Sequence, residues 1–125
     1  MKQVVATPNA PAAIGPYSQG IRTGDLYFFS GTLAIDPTTG NLVGETAKEQ
    51  SEQILKNMNA LLESVGLKAE NVIKTTVFLT DLSAFGDVNA VYGTMFPSDA
   101  PARSCVEVSK LPKGGLVEIE FVAAK

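Results

Sequence analysis

Apolar positions fall at two periods along this chain. Ile54, Met58, Leu61, Leu62 and Val65 recur at helical spacing and stop at Gly66, the pattern that leaves one helix face apolar. Upstream, Thr46-Ala47-Lys48-Glu49 has capping-box spacing, in which the Thr hydroxyl and the Glu carboxylate satisfy each other's backbone N–H. A helix is therefore predicted between Thr46 and Gly66. A second stripe, Phe85, Val88, Tyr92 and Phe96, predicts a helix from about Ser83 to Phe96, stopped by Pro97.

Elsewhere the period is two. Lys2 to Ala6 reads as a short edge strand, followed by an ordered Pro- and Ala-rich loop from Thr7 to Gly15. Ile21 to Thr23 and Leu26 to Ser30 flank the turn dipeptide Gly24-Asp25 and predict a hairpin. Asp36-Pro37-Thr38-Thr39-Gly40 predicts another turn before a short strand, Asn41 to Val43. Val72 to Leu79 carries Val72 and Phe78 on one face and Ile73, Val77 and Leu79 on the other, the mark of a central strand.

From Pro101 to Glu120 the pattern predicts two strands joined by a loop, read as a hairpin. In Arg103 to Ser109, Ser104, Val106 and Val108 point one way while Arg103, Cys105 and Glu107 point the other. In the second strand Val117, Ile119 and Phe121 make an apolar face, with Glu118 and Glu120 opposite. The polar side of the pair thus gathers an arginine, a thiol and carboxylates, the best chemical candidate in the chain. The ordinary alternative is a solvated, mutually neutralising surface.

Hairpins, helix, strand, helix and hairpin make an α+β fold with two helices on one face of a sheet. The central strand is apolar on both faces, so the second face needs a cover that the chain does not supply. A second copy is the simplest one, and a homo-oligomer is expected.

Composition narrows the function classes. The 125 residues, 45% of them hydrophobic, fit a single domain spanning 1–125. A net charge of -3 with scattered cations argues against nucleic acid as a partner. No apolar run approaches the roughly 20 residues needed to span a bilayer, and Met1 to Pro11 lacks a signal-peptide pattern, so a cytoplasmic or organelle-matrix location is expected. The single cysteine, Cys105, precludes an internal disulfide. Histidine is absent, which removes imidazole bases, Ser-His-Asp and Cys-His machinery and the usual zinc sites. Catalysis must run on carboxylate, arginine, hydroxyl, amine or backbone groups.

Four stretches carry a resemblance: Ile14-Gly15-Pro16-Tyr17-Ser18-Gln19-Gly20, Ser30-Gly31, Asp36-Pro37-Thr38-Thr39-Gly40, and Pro101-Ala102-Arg103-Ser104-Cys105-Val106-Glu107-Val108. With these the chain resembles the YjgF/RidA family of reactive-intermediate deaminases over nearly its whole length. The resemblance implies a chorismate-mutase-like fold, a homotrimer with sites in the clefts between subunits, and no metal or cofactor. It also implies hydrolysis of 2-imino or 2-enamino acids, 2-iminobutanoate and 2-iminopropanoate among them, to 2-keto acids and ammonia. Where the family commonly reads Ser-Gly-Gln-Ile-Pro, this chain has Ser30-Gly31-Thr32-Leu33-Ala34. That departure bears on the pocket wall and the preferred substrate side chain.

Given that chemistry, Arg103 suits the substrate carboxylate, because its planar fork holds two oxygens at once. Glu118 is the candidate to activate water and return a proton to the departing amine, its alternative being a rim carboxylate in an ion pair. Cys105 is expected to wall the same cleft or to be an inert core thiol, not a nucleophile. Tyr17 either closes over the substrate or packs its loop onto the sheet. Ser30 and Gly31 either meet the ligand or end a strand, and Asn89, one position off the second helix's stripe, lies near the pocket by resemblance. Glu107 and Glu120 read as structural ion-pair partners. Competing classes are a non-catalytic 2-keto acid sensor using the same cleft and an RNA-cleaving or translation-inhibiting protein. The acidic charge and missing histidine count against the latter.

Overall fold

The structure, a computed structural model, describes all of residues 1–125. Its strands are β1 (Gln3–Val5), β2 (Gly20–Thr23), β3 (Leu26–Thr32), β4 (Val72–Leu79), β5 (Ala102–Glu107) and β6 (Val117–Ala124), with helices α1 (Ala47–Ser64) and α2 (Phe85–Met95). One six-stranded mixed sheet runs in the order β1-β2-β3-β6-β4-β5. Only β4 and β5 are parallel, joined through α2.

The capping box at Thr46 and Glu49 is formed, and α1 ends where Gly66 adopts a φ of +73°. There the Leu67 and Gly66 N–H groups reach back to the carbonyls of Leu62 and Glu63, a Schellman stop. The apolar stripe of α1 buries Ile54, Met58, Leu61 and Leu62 against Phe121, Ile119 and Val117 of β6, and Phe29 stacks on Phe121 with centroids 4.4 Å apart. Each such fully buried side chain contributes roughly 1.5–3 kcal/mol.

Three expectations are corrected. The last two strands are not a hairpin, because β4 lies between them. Their connection straddles the end of β4, with Val108 N–H on the Leu79 carbonyl at 2.8 Å and Thr80 N–H on the Leu116 carbonyl at 3.2 Å. β6 takes the interior because Val117, Ile119, Phe121 and Ala123 are all buried, whereas β5 has too little apolar surface for anything but an edge. Second, β4 does not alternate throughout. A register irregularity between Val72 and Lys74 turns Val72 inward with Thr75, Val77 and Leu79 and leaves Ile73 exposed. Third, Asn41 to Val43 forms only a single bridge, Leu42 to Ile35.

Both helices pack on one face. The other is uncovered within the chain and carries Phe28 at 45% and Val106 at 42% exposure.

Candidate active site

The candidate residues fall into two groups on opposite faces of the sheet. Arg103 is registered against Thr75 and Cys105 against Val77, both buried under the helices. Glu118 is registered against Phe78 and Glu120 against Thr76, on the helix-free face. The expected gathering of arginine, thiol and carboxylates on one polar side is therefore corrected: Arg103 and Cys105 turn toward α2, and Ser104 and Val106 turn away. Polarity did not decide the facing of β5; pairing to β4 did, because neighbouring strands share one pleat.

On the helix face, Arg103 Nη1 donates to Asn89 Oδ1 at 2.7 Å, which places Asn89 with the arginine. The guanidinium carbon stands 5.3 Å from the Phe85 ring centroid and 4.8 Å from that of Tyr92. Cys105 is half-buried beside this group, and burial pushes its thiol up, an effect that the Arg103 charge partly offsets. A raised thiol pKa lowers the thiolate fraction on which nucleophilic attack depends.

On the other side, a cleft of about 510 Å³ is lined by Tyr17, Ser30, Gly31 and Glu118 together with Glu120. Its apolar wall includes Ile14, Leu33, Ile35 and Leu61. Ser30 and Gly31 do not end β3. They occupy the irregularity in its pairing with β6, between Phe29 and Thr32, where the strand opens toward Glu118. A side chain at position 31 would displace Glu118, since a Cβ there would stand 2.6 Å from its Oε2.

Each wall is held locally. Ser30 Oγ donates to the Ser18 carbonyl at 2.6 Å, and Ser30 N–H to that of Gln19 at 3.0 Å. Tyr17, 47% exposed, accepts from the Ile14 N–H through its hydroxyl at 3.3 Å, which leaves the phenolic proton available. Buried Asn57 of α1 donates to the carbonyls of Leu33 and Ile35 at 3.1 and 2.9 Å, fixing the apolar wall. Gln50 accepts from the Leu116 N–H at 2.8 Å, two residues before Glu118.

Glu118 is half-buried, and burial first, then the neighbouring Glu120 carboxylate, raise its carboxyl above the usual range. Two of the expected ion pairs are thus corrected. Glu120 acts on Glu118 as a like charge, and Glu107 accepts the Leu82 N–H at 2.9 Å, capping the turn before α2.

Several residues escaped sequence reasoning. Gln19 bonds the Thr7–Pro11 loop through Thr7 N–H at 2.6 Å and the carbonyls of Thr7, Ala10 and Pro11 at 3.1, 3.2 and 2.7 Å. Nothing in its spacing announces that. Phe85 and Tyr92 read as core stripe; the available signal was Asn89 lying between them on the same helix. No group of three or more His, Cys, Asp or Glu is placed to hold a metal, and no helix is long and apolar enough to cross a membrane.

Comparison with known proteins agrees with this fold. The family described as Endoribonuclease L-PSP matches residues 7–125. The 2-iminobutanoate/2-iminopropanoate deaminase of Salmonella typhimurium is 47% identical over 128 aligned positions, covering 100% of this chain and 99% of that protein. The crystal structure of YyfA, a Rid-family protein of Yersinia pestis, superposes with a TM-score of 0.97 at 45% identity, covering 100% of both chains. Escherichia coli TdcF, crystallised with bound serine, superposes with a TM-score of 0.93 at 39% identity, covering 98% of each chain.

Proposed function

The chain belongs to the Endoribonuclease L-PSP family, which includes the YjgF/RidA deaminases, and from that premise we propose that it hydrolyses 2-imino and 2-enamino acids to 2-keto acids and ammonia. The single observation that carries this reading is Glu118. A half-buried carboxyl raised by burial and by Glu120, set against a side-chain-free Gly31 in a cleft, suits proton transfer to and from a bound water.

Arg103 and Glu118 face away from each other in one chain, so both act on one substrate only when copies associate. The reading is a homotrimer with a chorismate-mutase-like arrangement, in which the uncovered face of one copy meets the β5 edge of the next. Exposed Phe28 and Val106 favour such burial. Arg103 of one copy, with Asn89 and Cys105, then completes the cleft of another that supplies Tyr17, Ser30, Gly31 and Glu118.

In that cleft Arg103 grips the substrate carboxylate through paired N–H donors and presents C2 to water. Glu118 takes a proton from the water as its oxygen attacks C2 of the protonated imine, giving a neutral tetrahedral carbinolamine. It returns that proton to the amine nitrogen; as the C–N bond breaks and ammonia departs, the remaining hydroxyl proton passes through the Glu118 carboxylate to ammonia, leaving a 2-keto acid and ammonium. An enamine first takes a proton at C3 to become the imine. Tyr17, Ser30 and the Gly31 backbone line the path of the water. Water is the only co-reactant, and the reaction draws on no metal or cofactor. The 2-imino acids of short chains, butanoate and propanoate, are the substrates that the 47%-identical relative's name carries over.

The test is clearance of 2-iminobutanoate made in situ by a threonine dehydratase, with native protein, Arg103→Ala, Arg103→Lys and Glu118→Gln. Native protein is expected to accelerate 2-ketobutanoate release and all three variants to lose most of that effect. Equal rates for native and Arg103→Ala overturn the assignment, and tight 2-keto acid binding without imine turnover makes the cleft a sensor.

A further inference from the structure

α2 presents Phe85, Asn89 and Tyr92 to Arg103 from positions i, i+4 and i+7, one face of a helix. The two rings stand 5.3 and 4.8 Å from the guanidinium carbon, within cation–π range, and Asn89 holds Nη1 at 2.7 Å. Tyr92 is fixed in turn. Its hydroxyl lies 2.7 Å from Thr75 Oγ1, a buried hydrogen bond, and Thr75 is registered directly beside Arg103. β4, α2 and β5 therefore close a ring of contacts around one guanidinium.

The chemistry of these partners is selective. All three are neutral, so they orient the cation without cancelling its charge, as a carboxylate would. They engage the ring-facing surface and Nη1, and leave Nε and Nη2 for an incoming acceptor. An unrestrained arginine loses rotamer freedom when it binds, and holding it in advance lowers the cost of each hydrogen bond it forms.

We propose that Phe85 and Tyr92 are positioning residues that hold Arg103 so that its Nε–Nη2 edge takes a planar carboxylate in the guanidinium plane, selecting 2-imino acids with a free carboxylate over the same imines capped as amides. The proposal rests on the reading of Arg103 as the carboxylate anchor. Phe85 is 39% exposed, so its ring is not there chiefly to fill the core.

The test uses Phe85→Leu, with Phe85→Tyr as the conservative variant that keeps the ring. Three quantities are read on the full-length protein: the affinity for 2-ketobutanoate, the affinity for its neutral amide, and the Arg103 Nε–Hε signal in nitrogen-edited NMR. Phe85→Leu is expected to weaken the keto acid roughly 2- to 30-fold while leaving the amide within about twofold, and to raise KM more than it lowers kcat. Its Arg103 signal should shift and lose the exchange protection of a restrained side chain, and Phe85→Tyr, which keeps the ring, should restore the native signal and keto acid affinity. An unshifted Arg103 signal with unchanged keto acid affinity overturns the clamp alone, as does equal weakening of acid and amide. Native protein that does not distinguish acid from amide overturns the reading of Arg103 itself, and the clamp with it.

Discussion

Arg103 and Glu118 stand on opposite faces of one sheet, registered against Thr75 and Phe78, an odd number of positions apart on β4. If one active site needs both, each must come from a different copy. Arg103→Ala and Glu118→Gln variants, inactive alone, should regain activity when dissociated and reassembled together. In a ring assembled at random from equal amounts, about one quarter of the clefts receive both native residues, since each is drawn with probability about one half. Recovery near that level in the 2-iminobutanoate assay is the expected outcome, and none at all would mean that both groups serve within one copy.

Gly31→Ala directs a methyl group at a carboxylate. The new Cβ would meet Glu118 Oε2 at 2.6 Å and Cδ at 2.8 Å, and the flexible end of Glu118 moves more easily than the backbone of β3. Thermal unfolding should change little. Turnover should fall on the order of 100-fold, as expected when a catalytic group is displaced by about 1 Å.

Glu120 shapes the pH profile through its charge. It lies on the same face as Glu118 and contributes to raising that carboxyl, after burial itself. Neutralising it in Glu120→Gln should lower the Glu118 pKa, so the acid limb of kcat/KM should move to lower pH. A limb that stays in place would mean that Glu118 is not the group titrating there.

The same shift has a consequence for stability. A carboxyl whose folded pKa is raised holds its proton longer folded than unfolded, so the native state binds more protons within that window. Stability is then lost as pH rises through it and is unaffected below the ordinary glutamate range. Glu118→Gln should therefore melt at a higher temperature than native protein at neutral pH, and the gap should close in acid.

Asn57 is a structural residue with a site behind it. It is 1% exposed and donates to two carbonyls of the cleft wall, Leu33 and Ile35. Asn57→Ala leaves these acceptors without their donor and should cost about 1–3 kcal/mol in chemical denaturation. Gln53, whose amide donates to Asn57 Oδ1 at 3.1 Å, cannot replace it from the next turn of the helix.

How far the sequence could be read depended on the range of the interaction. α1 was legible to its caps, because Thr46, Glu49 and Gly66 act within a few residues. The β2–β3 hairpin followed from Gly24-Asp25 for the same reason. Of the candidate site residues, Tyr17, Ser30, Gly31 and Glu118 line one cleft while Arg103, Cys105 and Asn89 lie on the other face of the sheet, so their grouping was misread. Alternation in β5 and β6 was visible, whereas insertion of β4 between them was not. Nor could a period of two reveal the irregularity at Ile73, since one extra residue reverses every facing beyond it.

By itself, then, the sequence determined the helices, the turns, the absence of imidazole chemistry and the arginine and glutamate worth watching, all properties of neighbouring residues or of composition. The tertiary structure alone decided that Arg103 lies under α2 between Phe85 and Tyr92 while Glu118 opens onto the other face beside Gly31. Strand order is set by which faces bury best across the whole sheet, a free energy summed over residues far apart in the chain, and no local pattern contains it.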